Sequence, residues 1–572
     1  MPPPDEKPSE IPIKDILQRN LDRSANDKKY DEQRDKLLQE EQTEAWDSRV
    51  KHNASETQNE AADIVRKIRE HERDNLFGNK ASEAIPGPET LDMGGQFLTN
   101  RDRIIEKSQL YSITQKMPKG AHLHLHFNSE LPPRQLLTEA EKLDNMFIRS
   151  TRPLLTNEDF EVSEMVFNVL PVDTQEADIF SATYNPEWKA EGSLPWMKWK
   201  HFCQSFRNYT SGEPDEWIIK KMVLQEDEVY GMSQTVNGVW ARFNQATRCF
   251  KGLMNYESVY RWYIRNAIKN MRAEKVMYAE LRPMLMDKFI PTDDGAGKID
   301  LNGQMEMILD EVSKITEELK REDRLNEFPF GVKIIYCTPR SIPKAKMRSE
   351  LEDCIRLKLK YPDLICGFDL VGAEDRPNSI NFYHAELLAF VRTCTDLNLT
   401  IPFMFHAGET LLDTGGSKDP AQSNLYESVL LNAKRIGHGF SLTKHPKLID
   451  EFKKRDICIE LCPISNELLH LCRNVKEHPY PELLTAGIPC TVNADNPSLF
   501  RSSMSHEFYQ VMVGTPTMSL HGWKQLAEWS LVYSCLSRAE KEKGLEILRG
   551  EWEGFCGWIV EEFGPYVEGL GL

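Results

Sequence analysis

Between Met117 and His126 three histidines, His122, His124 and His126, occupy alternate positions of an apolar segment. On a β-strand alternate side chains share a face, so the three imidazoles project together. A row of buried ring nitrogens loses its hydration without return unless a cation or a carboxylate meets it. Alternation alone also suits a packed pair of core histidines, so the rest of a metal set has to come from other strand ends. Three such ends are present. Thr400 to His406 closes an apolar run with a histidine and continues Ala-Gly-Glu409; Arg435-Ile-Gly-His438-Gly sets a histidine between glycines, where the backbone can bend toward a ligand; Pro489 to Asp495 ends in a carboxylate followed by Asn496. His124, His126, His406 and Asp495 make a borderline donor set suited to one zinc ion, with a position left for the water that zinc acidifies toward neutral pH. Attack on an aromatic carbon needs a proton donor to a ring nitrogen and a group that orients the nucleophile, and Glu409 and His438 stand where those roles fall.

Such residues need strands that end together. Apolar runs rich in Val, Ile, Phe and Cys fall at 121–126, 275–281, 330–337, 364–372, 400–406, 435–439, 457–463 and 489–495, separated by amphipathic stretches long enough for helices. Eight strands with helical crossovers predict a closed (β/α)8 TIM barrel, whose chemistry sits at the C-terminal strand ends. An open doubly wound sheet is the rival, but no Gly-x-Gly-x-x-Gly opens the first helix. Almost 150 residues separate the first two runs, which predicts a subdomain inserted over about 132–235. The Pro195 to Cys203 stretch, rich in aromatics, reads as its core; a lid over the active site is the other reading.

Residues 1–27 are Pro-rich and polar and read as a mobile leader. Residues 28–100 read as an N-terminal helical extension in which Ile64, Val65 and Ile68 form a narrow stripe, suited to a solvated appendage or to a dimerisation arm. The barrel with its insertion then fills 101–572.

Lys plus Arg number 71 against 89 Asp plus Glu, a net charge of −18 that repels polymeric nucleic acid and anionic membranes. No basic segment followed by an apolar one opens the chain, and no run approaches a membrane span, so a cytoplasmic protein is expected. Cysteines such as Cys337, Cys366 and Cys458 lie inside apolar runs, as buried free thiols do. His-Glu-x-x-His, Gly-x-Ser-x-Gly, a P-loop and Pro-Cys-x-x-Cys are all missing, which leaves zincin, serine-hydrolase, kinase and cytidine-deaminase readings without an anchor.

Met117-Pro-Lys-Gly, Leu123-His-Leu-His126, His406-Ala-Gly-Glu409, Gly437-His438-Gly, Cys462-Pro-Ile-Ser-Asn466 and Ala494-Asp495 together resemble the motif set of the adenosine deaminase family, most closely its growth-factor-related branch. The resemblance runs from about residue 100 to the end. It implies a barrel of the metal-dependent hydrolase type, one Zn2+ per chain on His124, His126, His406 and Asp495, a proton delivered to purine N1 by Glu409, and His438 aligning the attacking water and helping to deprotonate it. Gly372 matches the glycine whose N–H meets purine N3. His122 falls outside the motif and is expected to pack inside the barrel, as is Asp369. Two positions depart from the family pattern: Asn496 replaces a second Asp that meets purine N7, and Phe127-Asn128 replaces an Asp that reaches the ribose. A carboxamide always carries donors, so Asn496 keeps a bond to N7, while Asn128 reaches the sugar without charge. The implied activity is conversion of adenosine and 2′-deoxyadenosine to inosine and ammonia. AMP, an N6-substituted nucleoside, or a growth-factor-like binding function without catalysis are the alternatives. The resemblance also implies a homodimer through the N-terminal helices.

Overall fold

The computed structural model describes residues 13–24, 27–82, 84–187, 195–231, 234–374, 378–411 and 423–571. They fall into two compact units, 1–53 and 54–572.

In the larger unit eight parallel strands close a barrel: β1 (Gly120–Leu125), β2 (Val276–Leu281), β3 (Val332–Pro339), β4 (Ile365–Val371), β5 (His406–Ala407), β6 (Arg435–His438), β7 (Cys458–Leu461) and β8 (Cys490–Val492). Hydrogen bonding runs β1-β2-β3-β4 in one sheet and β5-β6-β7-β8 in the other. Two parallel bridges, Phe368 to Phe403 and Leu125 to Asp495, join the sheets into a ring. The strands read as continuous apolar runs because helices cover them outside and side chains fill the inside; every residue of β1, β2 and β4 is buried. The crossover helices include Glu257–Ala273, Leu301–Arg321, Lys344–Lys360 and His384–Asp396.

Each of the eight expected runs contains a barrel strand. The fifth is the shortest: Pro402 donates no N–H, so between 400 and 405 the chain follows β4 only through Phe368 N–H to Pro402 O (3.0 Å) and Met404 N–H to Phe368 O (3.0 Å), and the ladder proper starts at His406.

After β1 the chain builds an antiparallel sheet of Met165–Val169, Met146–Ser150 and Met197–Lys198. Phe180, Phe202, Phe206 and Trp217 cluster beside it with ring centroids 5.2–6.1 Å apart, so the aromatic stretch is packing core. The following helix, Val236–Met254, lies against the Met165–Val169 strand.

Ile64, Val65 and Ile68, on the helix Glu56–His71, are 6%, 1% and 0% exposed. They pack toward the long C-terminal helix Arg538–Gly569, and Ser55 and Gln58 donate to Glu553 at 2.9 and 2.6 Å. Burying each such side chain is worth about 1.5–3 kcal/mol, so this stripe is covered within the barrel unit itself and is not solvated. In the smaller unit, helices Ile13–Ser24 and Lys28–Glu44 bury no side chain, although Ile13, Leu17 and Leu21 recur at helical spacing. Of the segment read as a leader, residues 1–12, 25 and 26 lie outside the described residues; the remainder carries this amphipathic helix.

Candidate metal and active site

All the predicted ligands meet at the C-terminal rim of the barrel. His124 and His126 come from β1 and its end, His406 begins β5, and Asp495 follows β8. The closing bridge itself sets Asp495 against the histidines: His126 N–H donates to Asp495 O (2.9 Å) and Asp495 N–H to His124 O (3.1 Å). The Nε2 atom of His406 lies 3.1 Å from that of His124 and 3.2 Å from that of His126. Asp495 Oδ1 stands 3.5 and 3.2 Å from the same two ring nitrogens of His124 and His126. His438 borders the group: its nitrogen, with those of His124, His406 and the Asp495 oxygen, lies in a set whose members are all within 4.8 Å of one another.

The outward ring nitrogens of two of these histidines meet carboxylates. His124 Nδ1–H donates to Glu460 Oε2 (2.8 Å) and His406 Nδ1–H to Asp369 Oδ2 (2.7 Å), so that in the neutral rings Nε2 of each is a bare lone pair. Two lone pairs facing each other at 3.1 Å beside a carboxylate repel unless a cation sits among them.

The charge beneath them points the same way. Arg282 binds Asp369 (2.9 Å) and Glu460 (2.7 Å), and Arg435 binds Glu460 (2.6 Å) and Glu280 (2.5 Å), all five residues at most 1% exposed. Burial opposes ionisation of Glu460, but the guanidinium groups of Arg282 and then Arg435 outweigh it and hold the acid well below the usual range. Asp369 is held down likewise, against burial, by His406 and Arg282. With Asp495, four carboxylates face two guanidinium groups, an excess of two negative charges that a divalent cation neutralises. The cluster therefore fits zinc, the cofactor, which His124, His126, His406 and Asp495 would hold.

The local backbone is shaped for this convergence. His438 (φ 64°) and Asp495 (φ 56°) both lie in the left-handed region, a strain that non-glycine residues bear where surrounding structure enforces it. A Cβ on Gly437 would come within 2.7 Å of the His124 ring, so this glycine on β6 makes room for the imidazole that reaches across the barrel from β1. Glu374 accepts the backbone N–H groups of Gly408 (2.9 Å) and Glu409 (2.5 Å), clamping the turn that carries Glu409. Glu409 Oε1 stands 3.6 Å from His438 Nε2.

A cavity of about 530 Å³ opens in front, enough for a nucleoside. His126, His406, His438, Glu409, Asp495, Gly372, Asn496 and Asn128 all line it, with His124 directly behind. Asn496 Nδ2 donates to Asp495 Oδ1 (2.9 Å) while its Oδ1 accepts from Ser129 Oγ (2.8 Å), which leaves one amide N–H for a ligand. His122 accepts the Ala494 N–H (3.0 Å) inside the barrel, a packing role. The outer wall is Trp240, Phe243, Asn244 and Thr247 of helix Val236–Met254; among the described residues none from 132 to 235 lines the cavity.

Glu460, Arg282, Arg435, Glu374 and Arg340, whose Nη2–H donates to the His406 carbonyl at 2.8 Å, carry no role in the motif pattern. The available signal was a lone charge inside an apolar run, as in Ile459-Glu460-Leu461.

An eight-stranded parallel barrel that gathers three imidazoles and a carboxylate at its C-terminal rim defines a metal-dependent hydrolase. More narrowly, the family profile described as Adenosine deaminase matches residues 224–549, over half of the chain, and the chain belongs to the adenosine deaminase family. It is similar to adenosine deaminase 2 of Sus scrofa, 30% identical over 455 residues, 79% of this chain and 81% of that protein. It is also similar to an adenosine deaminase of Aedes albopictus, 28% identical over 92% of this chain and 87% of that one. A solved amidohydrolase of Burkhoderia ambifaria with bound Zn shares the fold, with a TM-score of 0.50 at 14% identity, covering 79% of this chain and 95% of the other.

Proposed function

We propose that this protein hydrolyses adenosine and 2′-deoxyadenosine to inosine and ammonia. The observation that carries the proposal is the convergence of bare ring nitrogens, Glu409 and His438 on one wall of a nucleoside-sized cavity whose other wall is Gly372. Zinc, when bound, supplies Lewis acidity that makes water a nucleophile at neutral pH. Glu409 hands a proton to purine N1, which makes C6 electrophilic. His438 orients the incoming oxygen at C6. The Gly372 N–H meets N3, Asn496 donates to N7, and Asn128 takes a ribose hydroxyl. Water adds at C6 and the C6–N6 bond breaks, so that one water and one nucleoside become inosine and ammonia. Replacing Glu409 with Gln is expected to abolish turnover while one zinc per chain remains by metal analysis; near-normal turnover would overturn Glu409's role.

Arg248 and Lys251 of the outer wall are paired with Glu164 and Asp287, which supports a nucleoside over a nucleotide, whereas Arg340 of the cavity lining keeps Nε and Nη1 without a partner among the described residues and is the cation there that a phosphate would find. A panel scored by ammonia release tests this, and preference for AMP or an N6-substituted nucleoside by orders of magnitude in kcat/KM would reject it. Metal analysis with the ultraviolet change on deamination rejects the enzymatic reading altogether if both fail, leaving a binding protein.

Self-association through the first 53 residues is part of the same reading. Ile13, Leu17, Leu21, Leu37 and Leu38 are 44–69% exposed on two helices, a surface that a second copy covers well. Light scattering on chains with and without residues 1–53 tests it, and a full-length monomer at working concentration overturns it. The twelve free cysteines support a reducing, intracellular setting; recovery of the protein from culture medium rather than cell extract would reject that location. No helix among the described residues is long and apolar enough to cross a membrane.

A further inference from the structure

The structure assigns to Asn466 and His478 the task of deciding which ring nitrogen of His438 carries its proton, and so makes His438 a hydrogen-bond donor to the reaction rather than a proton acceptor. This deepens the deaminase reading, on which its catalytic consequence rests.

The chain of reasoning starts from a donor whose polarity cannot change. The backbone N–H of Tyr480 donates to His478 Nδ1 at 3.1 Å. His478 is 1% exposed, and burial keeps its ring neutral, so it holds a single proton, which must lie on Nε2. That nitrogen is 2.9 Å from Asn466 Oδ1. The amide of Asn466 is thereby oriented, because the opposite orientation would set its NH2 against the His478 N–H. Its Nδ2 consequently faces His438 Nδ1, at 3.0 Å, and donates to it. His438 accepts at Nδ1, so the neutral ring carries its proton on Nε2, the nitrogen that faces the cavity. All three side chains are buried, which leaves no bulk water to serve as an alternative partner for any of these groups.

His124 and His406 are wired in the opposite sense. Each donates from Nδ1 to a carboxylate and presents a bare Nε2. One strand-end cluster thus contains imidazoles of both tautomers, and the partner of Nδ1, carboxylate or carboxamide, sets which is which. Two consequences follow. His438 Nε2 has no lone pair to give, so this ring stays out of the metal set although it belongs to a group of donors within 4.8 Å of one another. In the reaction, its N–H can stabilise negative charge growing on the oxygen that adds to C6 and cannot remove a proton from it. The resemblance-based expectation that His438 helps to deprotonate the attacking water is replaced by this donor role. Asn466 and His478 touch neither substrate nor metal ligands; they are positioning residues.

The test is long-range 1H–15N NMR of the deuterated, zinc-loaded enzyme carrying 15N-histidine, with His438 signals identified by their loss in His438→Gln. A protonated Nε2 and an unprotonated Nδ1 on His438 are expected; the reverse overturns the inference. Asn466→Asp replaces a donor by an acceptor-only group and is expected to invert the tautomer. Its kcat should fall by about 100-fold or more, and its KM should stay within about threefold, with an unchanged circular dichroism spectrum. An Asp variant that keeps both the wild-type tautomer and the wild-type kcat also overturns it. Failure of the deaminase reading would appear as absent turnover in the wild-type enzyme and would leave the NMR result standing.

Discussion

Asp369 is the residue whose replacement should separate the barrel's need for an acid from the metal's. Its Oδ1 accepts the His406 backbone N–H at 2.9 Å; its Oδ2 accepts His406 Nδ1–H at 2.7 Å and Arg282 Nε–H at 2.9 Å. Asp369→Asn keeps the size and offers one oxygen to three donors. With the oxygen toward His406 Nδ1 and Arg282, the new NH2 faces a backbone N–H; turned over, it faces the ring and the guanidinium. Either way His406 loses part of what holds its bare Nε2 toward the metal. Removing such a supporting group weakens metal binding about 10- to 100-fold, and two bonds to one ligand place this case at the upper end, about 100-fold or 2.7 kcal/mol. Arg282 keeps Glu460 and the Leu123 carbonyl, each at 2.7 Å. The separate loss in folding stability therefore falls at the low end of what breaking a buried pair costs, about 3 kcal/mol. Chelator competition measures the first quantity and urea unfolding of the metal-free protein the second. Zinc affinity within about threefold of wild type would refute the link from Asp369 through His406 to the metal, even if stability fell as expected.

Gly372 has φ +102° and open space where a Cβ would stand, in the cavity wall. Gly372→Ala should fold with a strain of about 1–2 kcal/mol and lower kcat/KM for adenosine about tenfold or more through KM; an unchanged KM would show that no substrate edge approaches this wall. Glu467, buried and bonded to Tyr230 and the Phe97 N–H, has its carboxyl pushed up to about 8 by burial. A folded value above the usual 4.5 means stability that is complete below that pH and is lost as pH rises toward 8. Glu467→Gln should flatten the fall in Tm between pH 6 and 8, and parallel curves for the two proteins would refute the assignment. Cys535, hydrogen-bonded with the Cys366 thiol and lying 3.5 Å from Lys434 Nζ, is lowered below the usual thiol range by the Cys366 hydrogen bond, whereas burial raises Cys203 to about 12. Both are partly exposed, so iodoacetamide at pH 7.5 should modify Cys535 faster by about tenfold or more; equal rates in mass spectra would contradict this.

What could be read from the amino-acid order, and what could not, divides along a physical line. The barrel strands and the residues at their ends were legible because each side chain at issue terminates a run of apolar residues, and a polar group in that place has few structural reasons to exist. The partners of those residues were not, because a hydrogen bond between His124 and Glu460 joins positions 336 apart and nothing local in Ile459-Glu460-Leu461 names the histidine. Ile64, Val65 and Ile68 showed a stripe but not its cover, which lies some 490 residues further on. The same limit applies to the outer cavity wall: Val236–Met254 lines the cavity and packs on the Met165–Val169 strand of the insertion, and a boundary at 235 drawn from crossover length separates the helix from that support. The metal centre takes this furthest. His124, His406 and His438 are one residue type on three barrel strands, indistinguishable as letters, and on the proposed reading what separates ligand from donor is whether Nδ1 meets an acid or an amide. Chemistry in this barrel is assigned one shell outward from the residues that perform it, by groups whose own sequence context is silent.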